Sequence, residues 1–313
     1  MDKEPEKIIE LVNVKKIYRM GNEKIYAVDD VSFDIKKGEF CCLLGTSGSG
    51  KSTLLNLMAG IEKVTSGTIL IKGKQIPKMS ENSLARFRQR YLGFVFQSYN
   101  LLNSMTALEN VEFPLVFKRV PLKKRKRLAK EMLVKVGLGR RLHHKPKEMS
   151  GGQQQRVGIA RAFVAKPEIV FADEPTGNLD SKTTIEVMEL IRQMARDNNQ
   201  TIVMVTHDRS LATYADKVIH ILDGKIQSIE EPAAENLPEE TKAVECATEE
   251  IMGEEATQTT EEVKKEVTEK FVKEMKCPEP VQTFPEKGKV AVRVVKKTKQ
   301  FHVPVQRNGK GKQ

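Results

Sequence analysis

The chain has 313 residues, 39% of them hydrophobic and 30% charged, with a formal net charge of +11, enough for one large domain with an appendage or for two modest domains. No stretch approaches the roughly 18 consecutive apolar residues of a membrane-spanning helix, and the polar start Met1-Asp2-Lys3-Glu4-Pro5-Glu6 has none of the form of a secretory leader, so a cytosolic protein is expected. Charge is uneven: residues 230–269 hold 3 basic and 14 acidic groups, residues 270–313 hold 12 and 3, and the first 229 residues keep +13, a balance that suits nucleotide, phospholipid headgroups or nucleic acid equally well.

In chain order, the first strong signal is the apolar run Phe40-Cys41-Cys42-Leu43-Leu44, which predicts a short buried strand in which both cysteines act as small core hydrophobes. Cys246 and Cys277 stand alone in a polar region, and none of the four has the spacing of a zinc or paired redox site. A glycine-rich turn follows, Gly45-Thr46-Ser47-Gly48-Ser49-Gly50-Lys51-Ser52-Thr53. Ser52 to Ala59 then predicts a helix that Gly60 can end. This is the GxxxxGK[ST] pattern between a strand and a helix. Its glycines let backbone N–H groups converge on oxygen atoms at a helix N-terminus. Lys51 brings a mobile positive charge to the β- and γ-phosphates of ATP, and the Ser52 hydroxyl can ligate Mg²⁺.

Further along, Lys118-Arg119, Lys123 to Arg127 and Lys130 form a basic run in a helical region. It reads as a solvated helix face, with contact to anionic lipid headgroups as the alternative. Met149-Ser150-Gly151-Gly152-Gln153-Gln154-Gln155-Arg156 precedes a helical pattern in which Val157, Ile159, Ala160 and Ala162 can pack. It offers a second helix N-terminus with close backbone access, hence a second phosphate-binding surface, or a simple helix cap. Ile169-Val170-Phe171-Ala172 predicts a buried parallel strand ending in Asp173 and Glu174. At such a strand end Asp173 would hold Mg²⁺ and Glu174 would orient and deprotonate the attacking water. Ile202-Val203-Met204-Val205 predicts another buried strand. After Glu230 the composition turns Glu-, Lys- and Thr-rich, which predicts a weakly ordered tail. Within it, Val263, Val267, Phe271 and Met275 recur every four residues ahead of Pro278 and Pro280, and Val290 to Val295 has the composition of a strand. A solvated tail and a partner-binding or membrane-surface element both remain open there.

Taken together, these strings resemble the nucleotide-binding subunit of ATP-binding cassette (ABC) transporters over roughly residues 8 to 229. Ser150-Gly151-Gly152-Gln153 matches that family's signature, with Met149 where leucine is usual. The resemblance implies an α/β fold of the P-loop NTPase class: a RecA-like core sheet, an antiparallel β subdomain and an α-helical subdomain carrying the signature. The chain then divides into a nucleotide-binding domain, residues 1–229, and a charged extension, residues 230–313. It also implies a head-to-tail dimer in which the signature of one subunit meets the γ-phosphate held by the other. By the same resemblance Tyr18 stacks on adenine, with Tyr26 as the lesser alternative. Gln97 approaches Mg²⁺ and the water and links the site to a membrane partner, Asp180 in Asn178-Leu179-Asp180 communicates across the dimer, and His207 contacts the γ-phosphate.

Arg90-Tyr91-Leu92-Gly93-Phe94-Val95-Phe96-Gln97 with Tyr99-Asn100-Leu101-Leu102, and Asp173-Glu174-Pro175-Thr176-Gly177-Asn178-Leu179-Asp180, look like the macrolide-export, lipoprotein-release and antimicrobial-peptide-resistance group. The expected function is an ATP-hydrolysing subunit that drives a separately encoded permease from the inner face of the cell membrane, without specific nucleic-acid binding. A motor of the cell-division type, which does mechanical work without transport, is the alternative. A two-cassette ribosomal ATPase is disfavoured because the nucleotide machinery occurs once. A repair ATPase split by a long heptad insert is disfavoured by the short interval between phosphate loop and signature.

Overall fold

The computed structural model describes residues 6–21 and 23–231; the tail readings lie outside them. Two long strands open the chain, β1 (Lys7–Met20) and β2 (Glu23–Lys36), followed by β3 (Phe40–Leu44) and helix α1 (Lys51–Met58). Then come β4 (Ser66–Ile71), β5 (Lys74–Gln75), α2 (Glu81–Tyr91), β6 (Leu92–Phe96), α3 (Ala107–Phe117), α4 (Leu122–Lys135) and α5 (Gly151–Phe163). The last described elements are β7 (Ile169–Asp173), α6 (Ser181–Asp197), β8 (Thr201–Thr206), β9 (Lys217–Leu222) and β10 (Lys225–Glu230). No described helix is long and apolar enough to cross a membrane.

These elements make two sheets. The smaller is antiparallel, in the order β2-β1-β4-β5. The larger runs β10-β9-β3-β8-β7-β6, parallel except for its β10 edge. Both of its faces are covered, so its central strands carry near-continuous apolar runs instead of alternating with polar residues. Phe40, Cys42 and Leu44 of β3, Val170 and Ala172 of β7, and Ile202 and Met204 of β8 enter one core. Cys41, Leu43, Ile169, Phe171, Val203 and Val205, the intervening residues, enter the other. Cys41 and Cys42 are both fully buried, and burial pushes the Cys42 thiol up to about 12.

The first core also takes Val111 and Leu115 of α3, Ala129 and Leu133 of α4, and Val157 of α5, which joins the helical, signature-bearing part to the sheet. The second core packs α1 and the small antiparallel sheet against the opposite face. Register then decides what meets at the strand ends. Leu44 pairs with Thr206, while Asp173 pairs with both Val205 and Phe96. The residues that follow β3, β6, β7 and β8 therefore emerge side by side, at the carboxyl edge where open α/β sheets bind ligands.

Candidate ATP-hydrolysis site

The phosphate loop leaves β3 at Gly45 and enters α1 at Lys51. Gly48 (φ 81°) and Gly50 (φ 95°) occupy the left-handed region that glycine adopts at little cost. At Gly50 a Cβ would also stand 2.0 Å from the Ala27 carbonyl oxygen, so this tight approach to β2 requires glycine twice over. Helix α1 has no side-chain N-cap, a lack it shares with α4, whereas Ser80, Thr106, Ser150 and Asp180 cap α2, α3, α5 and α6. The first-turn N–H groups of α1 are thus left for a ligand, and the helix dipole favours an anionic one. Lys51 crosses the loop: its Nζ donates to the Thr46 carbonyl at 2.6 Å and to Ser49 Oγ at 3.4 Å, and burial lowers its pKa.

From α1 the Ser52 hydroxyl reaches the end of β7 and donates to Asp173 Oδ1 at 3.1 Å. Burial raises the Asp173 pKa, offset in part by the Ser52 hydrogen bond and by Lys51, with neighbouring Glu174 adding to the rise. A cation placed here would relieve that cost. The donors are a hydroxyl and a carboxylate, and such hard oxygen ligands suit Mg²⁺. Among the described residues no group of three or more His, Cys, Asp and Glu is placed to hold an ion unaided.

Glu174 has φ 45°, unusual for a residue with a side chain. Its N–H donates to the Val205 carbonyl at 2.9 Å, and its own carbonyl accepts from Gly177 N at 3.1 Å. The strained backbone turns the carboxylate toward the loop after β8, where Glu174 Oε1 lies 2.9 Å from Nδ1 of exposed His207. Gln97 is tied to the same turn, with its carbonyl accepting from Asn178 Nδ2 at 3.0 Å. Its side chain lies against Gly177, where a Cβ would stand 2.7 Å from Gln97 Nε2.

The signature forms a different surface. Ser150 caps α5: its Oγ accepts from Gln153 N, and Gln153 Oε1 accepts from Ser150 N at 3.2 Å. The cap thus sits beside two half-buried glycines. Gly151 is crowded by the Tyr99 hydroxyl and Gly152 by the Thr183 methyl, 2.8 and 2.7 Å from where a Cβ would sit. A groove of about 540 Å³ runs along Ser150, Gly151, Gly152 and Gln153 to Asn178 and Asp180, and no phosphate-loop residue lines it. Within one chain, then, the phosphate loop and the signature line different surfaces. Asp180 caps α6, accepting from Thr183 N at 3.2 Å and from Thr183 Oγ1 at 2.6 Å, contacts that lower its pKa.

Tyr18, on β1, donates to Glu62 Oε2 at 2.5 Å, and Lys16 Nζ lies 4.9 Å from its ring centroid. Burial and then Glu62 raise the phenol pKa while the Thr53 hydroxyl opposes them, which sets Tyr18 beside the first turn of α1. Two contacts have no signature in the motifs. Arg161 of α5 donates to the carbonyls of Tyr99 (2.8 Å) and Asn100 (2.5 Å), consecutive residues of positive φ beyond Gln97. Gln155 of α5 donates to the carbonyl of Pro175, beside Glu174. The available clue was their position on the buried side of the α5 helical pattern.

A phosphate loop, an acidic strand end and a capped signature helix on this two-sheet frame define an ATP-binding cassette ATPase. The family model described as "ABC transporter" matches residues 28–177, and the chain belongs to that family as an ATP-binding subunit that hydrolyses ATP. It is 50% identical over 224 residues to an ABC transporter ATP-binding protein of Thermotoga maritima, spanning 72% of this chain and 95% of that one. It is 44% identical over 235 residues to the macrolide export ATP-binding/permease protein MacB of Hyphomonas neptunium, covering 74% of this chain but 36% of MacB. Among solved structures it is similar to the cassette MJ0796 in a dimeric post-hydrolysis state bound to ADP and Pi. That likeness has a TM-score of 0.67 and 42% identity over 71% of this chain and 98% of that one. A second dimeric structure of MJ0796 has the same TM-score with 43% identity. These dimers support a second cassette as partner.

Proposed function

We propose that this cassette drives a separate integral membrane permease, of the type that MacB carries in its own chain, from the cytoplasmic face of the cell membrane. The observation that carries the proposal is the separation of the two phosphate-binding surfaces. A phosphate loop with an uncapped helix and a signature groove that no loop residue lines would become one site when two chains pair head to tail. ATP held by Gly45 to Thr53 of one chain, with its adenine on Tyr18, would then be closed over by Ser150 to Gln153 of the other, with Asp180 at the seam.

In that closed site each residue has a definable task. Lys51 and the loop amides hold the β- and γ-phosphates, and His207 supports the γ-phosphate. Ser52, Asp173 and Gln97 would hold Mg²⁺, which would supply positive charge to the phosphate oxygens. Glu174 orients the attacking water and accepts its proton while His207 keeps the carboxylate in place. Binding energy of ATP becomes dimer closure, and hydrolysis releases it. The exposed basic run on α4 is a candidate contact for anionic headgroups.

The test is reconstitution with the membrane protein encoded beside this chain. Co-expressed and placed in liposomes, the pair should hydrolyse ATP at least about fivefold faster per cassette than the chain alone. An unchanged rate, with no stable association in detergent, would remove the permease from this proposal.

A further inference from the structure

Among the described buried polar residues, Gln155 is the one carried by α5. Its side chain is fully buried, and Nε2 donates to the Pro175 carbonyl. That carbonyl can only accept, which fixes the amide orientation and leaves Gln155 Oε1 buried without a hydrogen-bond partner. A core glutamine placed only for packing would be better replaced by an apolar residue of its size. The donor end must therefore be what the position needs.

What it holds is the peptide that follows Glu174. Glu174 combines φ 45° with a proline after it, and the residue before proline is itself restricted to extended backbone. A turn of this kind persists only where its surroundings over-determine it. Val205 O holds the Glu174 N–H, Gly177 N holds the Glu174 carbonyl, and Gln155 holds the next carbonyl. Two of these tethers come from the core sheet and the turn itself. The third comes from the signature helix, five residues after Ser150.

We infer that Gln155 is a positioning residue for Glu174, and that through it each chain's signature helix sets that chain's own catalytic carboxylate. The inference rests on Glu174 being the general base. Ser150 to Gln153 and Gln155 share one rigid helix. Seating the signature on the partner's ATP therefore also fixes the Pro175 carbonyl, so that occupancy of one site is felt at the base of the other.

The experiment is steady-state ATPase kinetics on the full chain with Gln155→Met, which keeps the volume and removes the donor. Expected are a kcat about tenfold lower and a KM for ATP within about twofold of wild type. In a Glu174→Gln background the ATP-dependent dimer should still form, read by size-exclusion chromatography. If Gln155→Met proves unfolded by circular dichroism, Gln155→Asn, which withdraws the amide by one carbon, should give the same split. An unchanged kcat overturns the inference, as does a loss of kcat accompanied by loss of the dimer, which would make Gln155 a packing residue. Continued turnover by Glu174→Gln alone would overturn the base assignment, and this inference with it.

Discussion

His207 Nδ1 stands 2.9 Å from Glu174 Oε1, joining the loop after β8 to the turn after β7 across neighbouring strands of the central sheet. The contact holds a carboxylate on a strained turn in one orientation, with the imidazole exposed toward the solvent side. A general base needs this restraint, because its efficiency depends on geometry before it depends on pKa.

Glu174→Gln should therefore lower kcat by about 10²–10⁴-fold while leaving ATP binding intact. Phosphate release measures the first effect. The second appears as a chain that elutes as a dimer in ATP and Mg²⁺ and as a monomer in ADP. Near-normal phosphate release would remove Glu174 from its role.

Asp173 gives a prediction with a sign in pH. Burial holds its pKa above the ordinary carboxylate value, so between the unfolded and folded pKa the folded chain binds more protons. Its contribution to stability is then lost as pH rises through that window, while its capacity to ligate a cation is gained. Asp173→Asn should raise the melting temperature of the metal-free protein near neutral pH. It should also lower Mg²⁺-dependent hydrolysis by about 10²-fold or more. A variant that melts lower without metal would contradict the electrostatic account.

Tyr18 has its hydroxyl on Glu62 and Lys16 over its ring, so the proposed stacking on adenine can be tested apart from the contact with Glu62. Tyr18→Ala should raise the KM for ATP about tenfold, the size of one base–aromatic stacking term, with kcat little changed. Tyr18→Phe should stay within about twofold of wild type, since Glu62 keeps Lys16 at 3.3 Å. Equal losses in both variants would assign the effect to the hydroxyl.

Head-to-tail pairing is tested by mixing two inactive chains, Lys51→Met and Ser150→Arg. Each lacks one half of every site, yet a mixed dimer contains one intact site. An equimolar mixture that exchanges freely should recover about a quarter of wild-type hydrolysis. No recovery, with exchange verified by differently tagged chains, would contradict a site shared between subunits.

How much of this was legible beforehand depended on the element. The strands Phe40–Leu44 and Ile169–Asp173 were readable as short apolar runs bounded by turn residues, and α1 by the loop before it and Gly60 after it. The long hairpin of β1 and β2 was not. Its alternation is broken where the register shifts near Asn13 and Asp30, both at positive φ, so no clean period of two survives in the sequence. The site motifs were visible because phosphate chemistry restricts residue type and spacing together. Gln155 and Arg161 were missed because their partners are main-chain carbonyls, which leave no pattern of complementary residues. Their targets became apparent only when α5 was laid against the turns after β6 and β7.

The missing cap of α1 reaches beyond catalysis. Four other helices of this domain begin on a serine, threonine or aspartate cap; α1, which begins on Gly50, and α4, which begins on Pro121, have no side-chain cap, and of these two only α1 opens on the phosphate loop. Nucleotide bound at the phosphate loop would then act for this segment as a folding ligand, and at a hundredfold excess over Kd any such ligand adds ~2.7 kcal/mol to the native state. The chain's resistance to unfolding and proteolysis in the cell should then rise and fall with the ATP supply that powers it.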